Sequence, residues 1–242
     1  MAWDSNSVSQ SPWDRQRELA EGSARTQMAA KFTTQMFGWM AAGLGMSGVV
    51  AGSVMASPSL YAAVVPLMLP LIIVELVVVI GLSAALHKLS YAAAAGGFLF
   101  YSLLNGLTLA PVVMLYTAAS AANVFFVTAG TFATMAVVGA TTKRDLTSMG
   151  SFLMMGVVAM IITSVVNLFI GSDALQFAVS ALGALIFTGL TAYDVQRFRK
   201  LGYQGFANAE ERGKAALIGA LNLYLDFVNL FLNLLRLFGN RR

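Results

Sequence analysis

The chain has no cysteine and a single histidine, His87. Disulfides, thiolate nucleophiles, Cys-type zinc sites and paired-histidine metal sites are excluded with them. Charge is also scarce. Asp, Glu, Lys and Arg together make up 11% of the 242 residues, against roughly 25% in soluble domains. Apolar residues make up 58%, and mean hydropathy is +0.74. That leaves too little polar surface to clothe a water-soluble globule and far too much apolar content for a disordered chain. No nucleotide-binding motif is present, so an ATP-driven pump is unsupported. The composition describes an integral membrane protein in which the formal charge of +4 orients the chain and does not attract nucleic acid.

Residues 1–31 are polar, with Asp4, Asp14, Arg15, Arg17, Glu18, Glu21, Arg25 and Lys31. They lack the apolar core of a signal peptide and read as a partly flexible cytoplasmic tail. Residues 32–242 then hold seven apolar stretches, each long enough to cross about 30 Å of hydrocarbon at ~1.5 Å per residue. They are Phe32–Ala56, Tyr61–Leu86, Tyr91–Tyr116, Asn123–Thr142, Met149–Ile170, Ala174–Tyr193 and Ala215–Phe238. The links are short except Asp194–Lys214, so successive spans are antiparallel neighbours in an all-α, seven-helix transmembrane bundle.

Twelve of the fifteen basic residues fall on one side: Arg15, Arg17, Arg25, Lys31, Lys88, Lys143, Arg144, Arg197, Arg199, Lys200, Arg212 and Lys214. The opposite loops, Ser57–Leu60, Thr117–Ala122 and Gly171–Asp173, carry none. The bias places the N-terminus in the cytoplasm. Span 7 is the anomaly, because a full crossing puts Arg241 and Arg242 outside; its 24 mostly apolar residues still favour crossing. Gly38, Gly43, Gly45, Gly48, Gly52, Gly183 and Gly189 are expected to let helices approach closely. Pro66, Pro70 and Pro111 are expected to kink spans 2 and 3. No internal repeat supports an inverted-repeat transporter.

Few ionisable groups fall within the spans: Glu75 in span 2, Asp194 at the end of span 6, and Asp226 and Arg236 in span 7. A carboxylate at mid-helix costs at least ~2.5–3.5 kcal/mol in hydrocarbon, so each is a functional candidate with a partner or water to face. In span 7, Asn222, Asp226, Asn229 and Asn233 are spaced four, three and four, one polar stripe on an otherwise Leu/Phe/Val helix. The asparagines read most simply as interhelical glue, whereas glue alone does not account for Asp226. Asp194 pairs either with Arg197 and Arg199 on the surface or with Asp226, which lies about 18 Å along span 7 from Lys214; the second requires span 6 to run past Tyr193. Two carboxylates within hydrogen-bonding reach cannot both ionise cheaply, so they share a proton and form a pH-sensitive latch. Glu75 is equally a cation ligand or a hydrogen-bonded structural group. His87, beside Lys88, reads as a surface residue.

The chain resembles the Bax inhibitor-1 family (the transmembrane BAX inhibitor motif proteins), its bacterial branch in particular. The resemblance rests on Gly189-Leu-Thr-Ala-Tyr-Asp194-Val-Gln196, on Ala220-Leu-Asn-Leu-Tyr-Leu-Asp226 through Arg236, on Gly139-Ala-Thr-Thr-Lys-Arg-Asp145-Leu-Thr and on Tyr101-Ser-Leu-Leu-Asn-Gly-Leu-Thr108. It implies a seven-helix bundle with span 7 central, a two-aspartate pH sensor at Asp194 and Asp226 near the cytoplasmic mouth, and a pH-dependent calcium leak. The chain departs from that scheme in having no Arg or Lys in spans 2 to 6 to clamp the pair.

The leading expectation is therefore a passive, proton-gated Ca²⁺ channel in the bacterial inner membrane. Oxygen groups serve a hard cation: Asp194 and Asp226 as tentative metal ligands, with Glu75, Asn222, Asn229 and Asn233 along the candidate pathway. No cofactor is implied, since Ca²⁺ is cargo. The alternative is a stress-response regulator of a membrane protease, acting through protein contacts without transport. An intramembrane aspartyl protease of the presenilin kind is disfavoured, because Leu-Tyr-Leu-Asp226 replaces Gly-x-Gly-Asp and no later Pro-Ala-Leu follows; the chain is not expected to be an enzyme.

Overall fold

The computed structural model describes residues 12–85 and 88–242; His87 and Asp4 lie outside the described residues. The elements are α1 (Pro12–Ala56), α2 (Pro58–Val64), a 3-10 turn (Val65–Leu67), α3 (Met68–Ala85), α4 (Tyr91–Met114), α5 (Ala118–Thr141), α6 (Thr147–Ile170), α7 (Asp173–Gln204) and α8 (Ala209–Phe238). With α2 and α3 counted as one span, seven helical segments are long and apolar enough to cross a membrane. No strand occurs among the described residues. The chain is a seven-span, all-α membrane protein.

Local chemistry sets the helix ends. Hydroxyl caps on Ser90, Thr117 and Ser172 accept from the amides of Ala93, Ser120 and Leu175. Asn208 caps α8 by accepting from the Glu211 amide at 2.8 Å, while the Glu211 carboxylate accepts from the Ala207 amide at 2.8 Å, a reciprocal lock on the first turn. Gly171 (φ 67°) and Gly205 (φ 84°) close α6 and α7 in backbone conformations that side chains resist. Two boundaries lie beyond the apolar runs. α1 starts at Pro12, well before Phe32, and α7 continues from Tyr193 to Gln204. Hydropathy ends where charge begins, yet Val195-Gln-Arg-Phe-Arg-Lys-Leu201 contains no strong helix breaker. Pro66 breaks span 2 into a 3-10 turn, whereas Pro111 stays inside an unbroken α4.

α8 buries the largest share of its apolar window and packs against α1, α4, α5 and α7. α3 rests on α4, and α6 packs chiefly on α7. Both outlying helices present apolar side chains outward, such as Ile73, Val77 and Ile80 on α3 and Phe152, Ile161 and Phe169 on α6. α8 traverses the whole bundle. At the basic end Lys214 Nζ donates to the Leu89 carbonyl, 3.3 Å. At the far end, residues after α8 pair with the α4–α5 loop: the Thr117 amide donates to the Asn240 carbonyl (2.9 Å), the Arg242 amide to the Leu115 carbonyl (3.0 Å), and the Asn240 amide to Ser120 Oγ (2.9 Å). Arg241 and Arg242 therefore sit opposite the main basic cluster.

Close approach depends on particular glycines. A Cβ at Gly106 would lie 2.7 Å from the Ser47 carbonyl oxygen, and Gly139, Gly183 and Gly189 abut the Ala192 backbone, Asn233 and Leu153. Gly43 meets Phe98 and Ser102, but Gly38, Gly45, Gly48 and Gly52 face open space, so only part of the span 1 glycine set packs against a neighbour. Gly106→Leu is expected to cost ~1–3 kcal/mol through overpacking and to lower the melting temperature in detergent. Gly45→Ala, which adds helix propensity where nothing is within 4 Å, is expected to cause no loss.

Candidate functional site

Extension of α7 past Tyr193 and the packing of α7 on α8 bring two acids into the protein interior. Asp194 is 7% exposed and Asp226 5%. The two acids stand on α7 and α8, helices that pack against each other. No hydrogen bond joins the two among the described residues, and Asp226 Oδ2 is buried without a partner. Asp194 Oδ1 lies 4.0 Å from Arg197 Nη1, one turn along the same helix. That distance is long for a charge-assisted hydrogen bond, and the Arg197 side chain is 56% exposed. Arg197, one of the partners expected for Asp194, is thus near it without clamping it.

The asparagine stripe behaves differently from interhelical glue. Asn222, Asn229 and Asn233 each donate to the carbonyl four residues back, on Ile218, Leu225 and Asn229, at 3.0, 2.8 and 2.8 Å. Donation within α8 leaves the amide oxygens to face the neighbouring helices. Asn233 Oδ1 is buried, without a partner, against Gly183. Asp226 Oδ2 and Asn233 Oδ1 are therefore two orphaned acceptors on one face of α8.

Two hollows lie along α8, one toward each end. At the basic end a hollow of about 460 Å³ is lined by Thr147, Tyr193, Arg197, Ala215 and Ile218, among others. At the far end a second hollow of about 360 Å³ is lined by Ser164, Gln176, Asn229, Asn233 and Arg236, among others. Along α8 the interval from Ile218 to Asn229 spans about 16 Å, and it contains Asn222 and Asp226. Along the helix Asp226 thus lies between two hollows of mostly apolar lining, and it lines neither of them. Among the described residues no group of three or more His, Asp or Glu side chains could hold a metal ion. Asp194 and Asp226 alone supply two carboxylates, fewer oxygen ligands than the 6–8 of a resident Ca²⁺ site, although a cation in transit could pass their oxygens.

Glu75 belongs elsewhere. Its Oε1 accepts from Thr108 Oγ1 at 2.7 Å, and neither hollow includes it. Nearby, Tyr224 OH donates to Asn105 Oδ1 (2.9 Å) and pairs with Ser47 Oγ (2.6 Å), which itself reaches the Ser102 carbonyl (2.7 Å). The structure therefore assigns Glu75 to a polar cluster that ties α3 to α4, beside a buried network joining α1, α4 and α8, and not to the groove with the asparagines. Ser47, Asn105 and Tyr224 carry that network unforeseen; their only signal was a hydroxyl or amide type on otherwise apolar helices.

At the basic end Gln196, two residues past Asp194, fixes the α5–α6 loop. Its Oε1 accepts from the Leu146 amide (2.9 Å) and its Nε2 donates to the Arg144 carbonyl (2.7 Å). Lys200 Nζ donates to Asp145 Oδ1 at 2.7 Å, and Thr147 adds a hydroxyl donor. Together these hold the Asp145 carboxyl down at about 2, the Lys200 contact first. A depressed acid contributes its stabilisation above the ordinary value of 3.8 and loses it as pH falls through the folded value. The melting-temperature difference between wild type and Asp145→Asn is expected to be constant above pH 4 and to close between 3.8 and about 2.

Comparison with known proteins agrees with this architecture. The family described as "Inhibitor of apoptosis-promoting Bax1" matches residues 29–242. The inner membrane protein YbhL of Escherichia coli K12 is 44% identical over 219 residues, covering 87% of this chain and 92% of that protein. An uncharacterized protein of Borreliella burgdorferi is 43% identical over 228 residues, covering 93% and 98%. One from Caulobacter vibrioides is 37% identical over 225 residues, covering 88% and 89%. With seven spans, the Asp194 and Asp226 motifs on adjoining helices and a match across nearly the whole chain, this protein belongs to the Bax inhibitor-1 family.

Proposed function

We propose that this protein is a passive, proton-gated cation leak of the bacterial inner membrane, with its basic end in the cytoplasm and Ca²⁺ as the cargo best matched to its oxygen groups. The observation that carries this reading is the buried Asp226 Oδ2, without a hydrogen-bond partner, at a point along α8 between two hollows. A lone ionised carboxylate in that position has no compensation, and a second acid on the adjoining helix makes simultaneous ionisation harder still. When the pair holds a proton, α7 and α8 stay packed and the groove is interrupted at Asn222 and Asp226. When both acids ionise, repulsion and the demand for hydration favour separation of α7 from α8, admitting water and a cation. Among the described residues no basic side chain on another helix forms an ion pair with either acid, so the leak opens as pH rises.

Arg236 lines the far hollow and opposes cation entry there, which fits a slow leak better than a high-flux channel. Transport of this kind breaks no covalent bond and needs no cofactor.

The test is Ca²⁺ flux into proteoliposomes containing a trapped indicator, measured from pH 6 to pH 8. Wild type is expected to leak faster at the higher pH, and Asp226→Asn and Asp194→Asn are each expected to flatten the profile. Equal flux at every pH in wild type and both variants, or flux no greater than in empty liposomes, overturns the proposal.

A further inference from the structure

Away from the aspartate pair, the basic end contains a separate hollow of about 150 Å³ between the α5–α6 loop and the last turns of α7. Lys143 and Arg144 line it from the loop, and Arg199 and Lys200 from the helix. Asp145 is the one acid in its lining, and Lys200 already holds it at 2.7 Å. Four cations thus converge on a recess containing one engaged carboxylate.

The recess is built and not incidental. Gln196, only 6% exposed, reaches from α7 and bonds both faces of the loop peptide, to the Leu146 amide and the Arg144 carbonyl. This fixes the register in which Lys143 and Arg144 stand opposite Arg199 and Lys200. Arg199 is further placed by stacking over the Tyr203 ring, 5.5 Å to its centroid. Membrane orientation requires only that cations lie on this side. It does not require four of them to line one concavity, nor a buried glutamine to hold the two groups in opposition.

We propose that this hollow binds a phosphate-bearing anion. A phosphoryl group presents several acceptor oxygens, matched by guanidinium forks and ammonium donors. The space equals the liquid share of roughly five waters, enough for such a group with part of its hydration. The phosphate belongs either to the headgroup of an anionic lipid in the adjacent leaflet or to a soluble phosphoester. The site does not depend on the channel reading, and its test measures binding and not flux.

The experiment uses the full chain in two arms. Native mass spectrometry compares retention of phosphatidylglycerol and phosphatidylcholine. Calorimetric titration of pyrophosphate into protein in phosphatidylcholine nanodiscs tests the soluble form. The test variant is Lys143→Gln/Arg144→Gln, both exposed, with Arg199→Gln as an independent second; the charge control is Arg17→Gln/Lys31→Gln on α1. At ~1 kcal/mol per cation near a charged headgroup, the double variant is expected to lose about thirtyfold in affinity while the control stays within about twofold. Selective phosphatidylglycerol retention assigns the lipid source, and pyrophosphate binding the soluble one. Absence of both, or an equal loss in the control, overturns the proposal.

Discussion

The structure depends on the difficulty of keeping charge in a place that water does not reach. Hydrocarbon admits helices only when every backbone group is bonded within them, and it tolerates few side-chain charges. This chain places a carboxyl, Asp226, on its most buried helix, with Oδ2 left unpartnered and Asp194 nearby on the helix packed against it. Protonation is the least costly way to relieve that arrangement, and separation of the helices is the next. On the proposed reading, such a residue is the fold's titratable joint.

The rest of the bundle holds α8 in place. α8 is held from three further sides by α1, α4 and α5, with the Tyr224–Asn105–Ser47 bonds fixing its opposite face. The residues after α8 are stitched to the α4–α5 loop at the far end. α6 packs on α7, and side chains of α6 and α8 together line the far hollow. Toward the far end Asn229 and Asn233 of the polar stripe line one of the two hollows. Gly183 allows Asn233 to lie against α7 without a Cβ between them, so the interface combines tight backbone approach with unsatisfied acceptors.

Much of this was legible in the residues. The seven spans follow from hydropathy, because lipid imposes length and composition directly. The polar stripe follows from the spacing of Asn222, Asp226, Asn229 and Asn233. What hydropathy could not show is where a helix continues past its apolar run, as α7 does from Tyr193 to Gln204; that extension is what makes Asp194 a buried helical residue. Glu75 looked equivalent to the other acids because depth along a span says nothing about the direction a side chain faces; its bond to Thr108 places it in a different cluster. The asparagines bond their own helix instead of a neighbour, a local competition that spacing cannot resolve. Gly106 and Gly139 mattered more than most of the span 1 glycines because contact is decided by the partner surface, not by the stripe.

The central claim is that Asp194 and Asp226 exchange protons as one unit inside the bundle. Infrared difference spectroscopy of the carboxyl C=O band during a pH titration of the purified protein in nanodiscs tests it directly. The account predicts a two-step titration in wild type and a displaced midpoint for the acid that remains in either Asp194→Asn or Asp226→Asn. A remaining acid that titrates at its wild-type midpoint in both variants would contradict it.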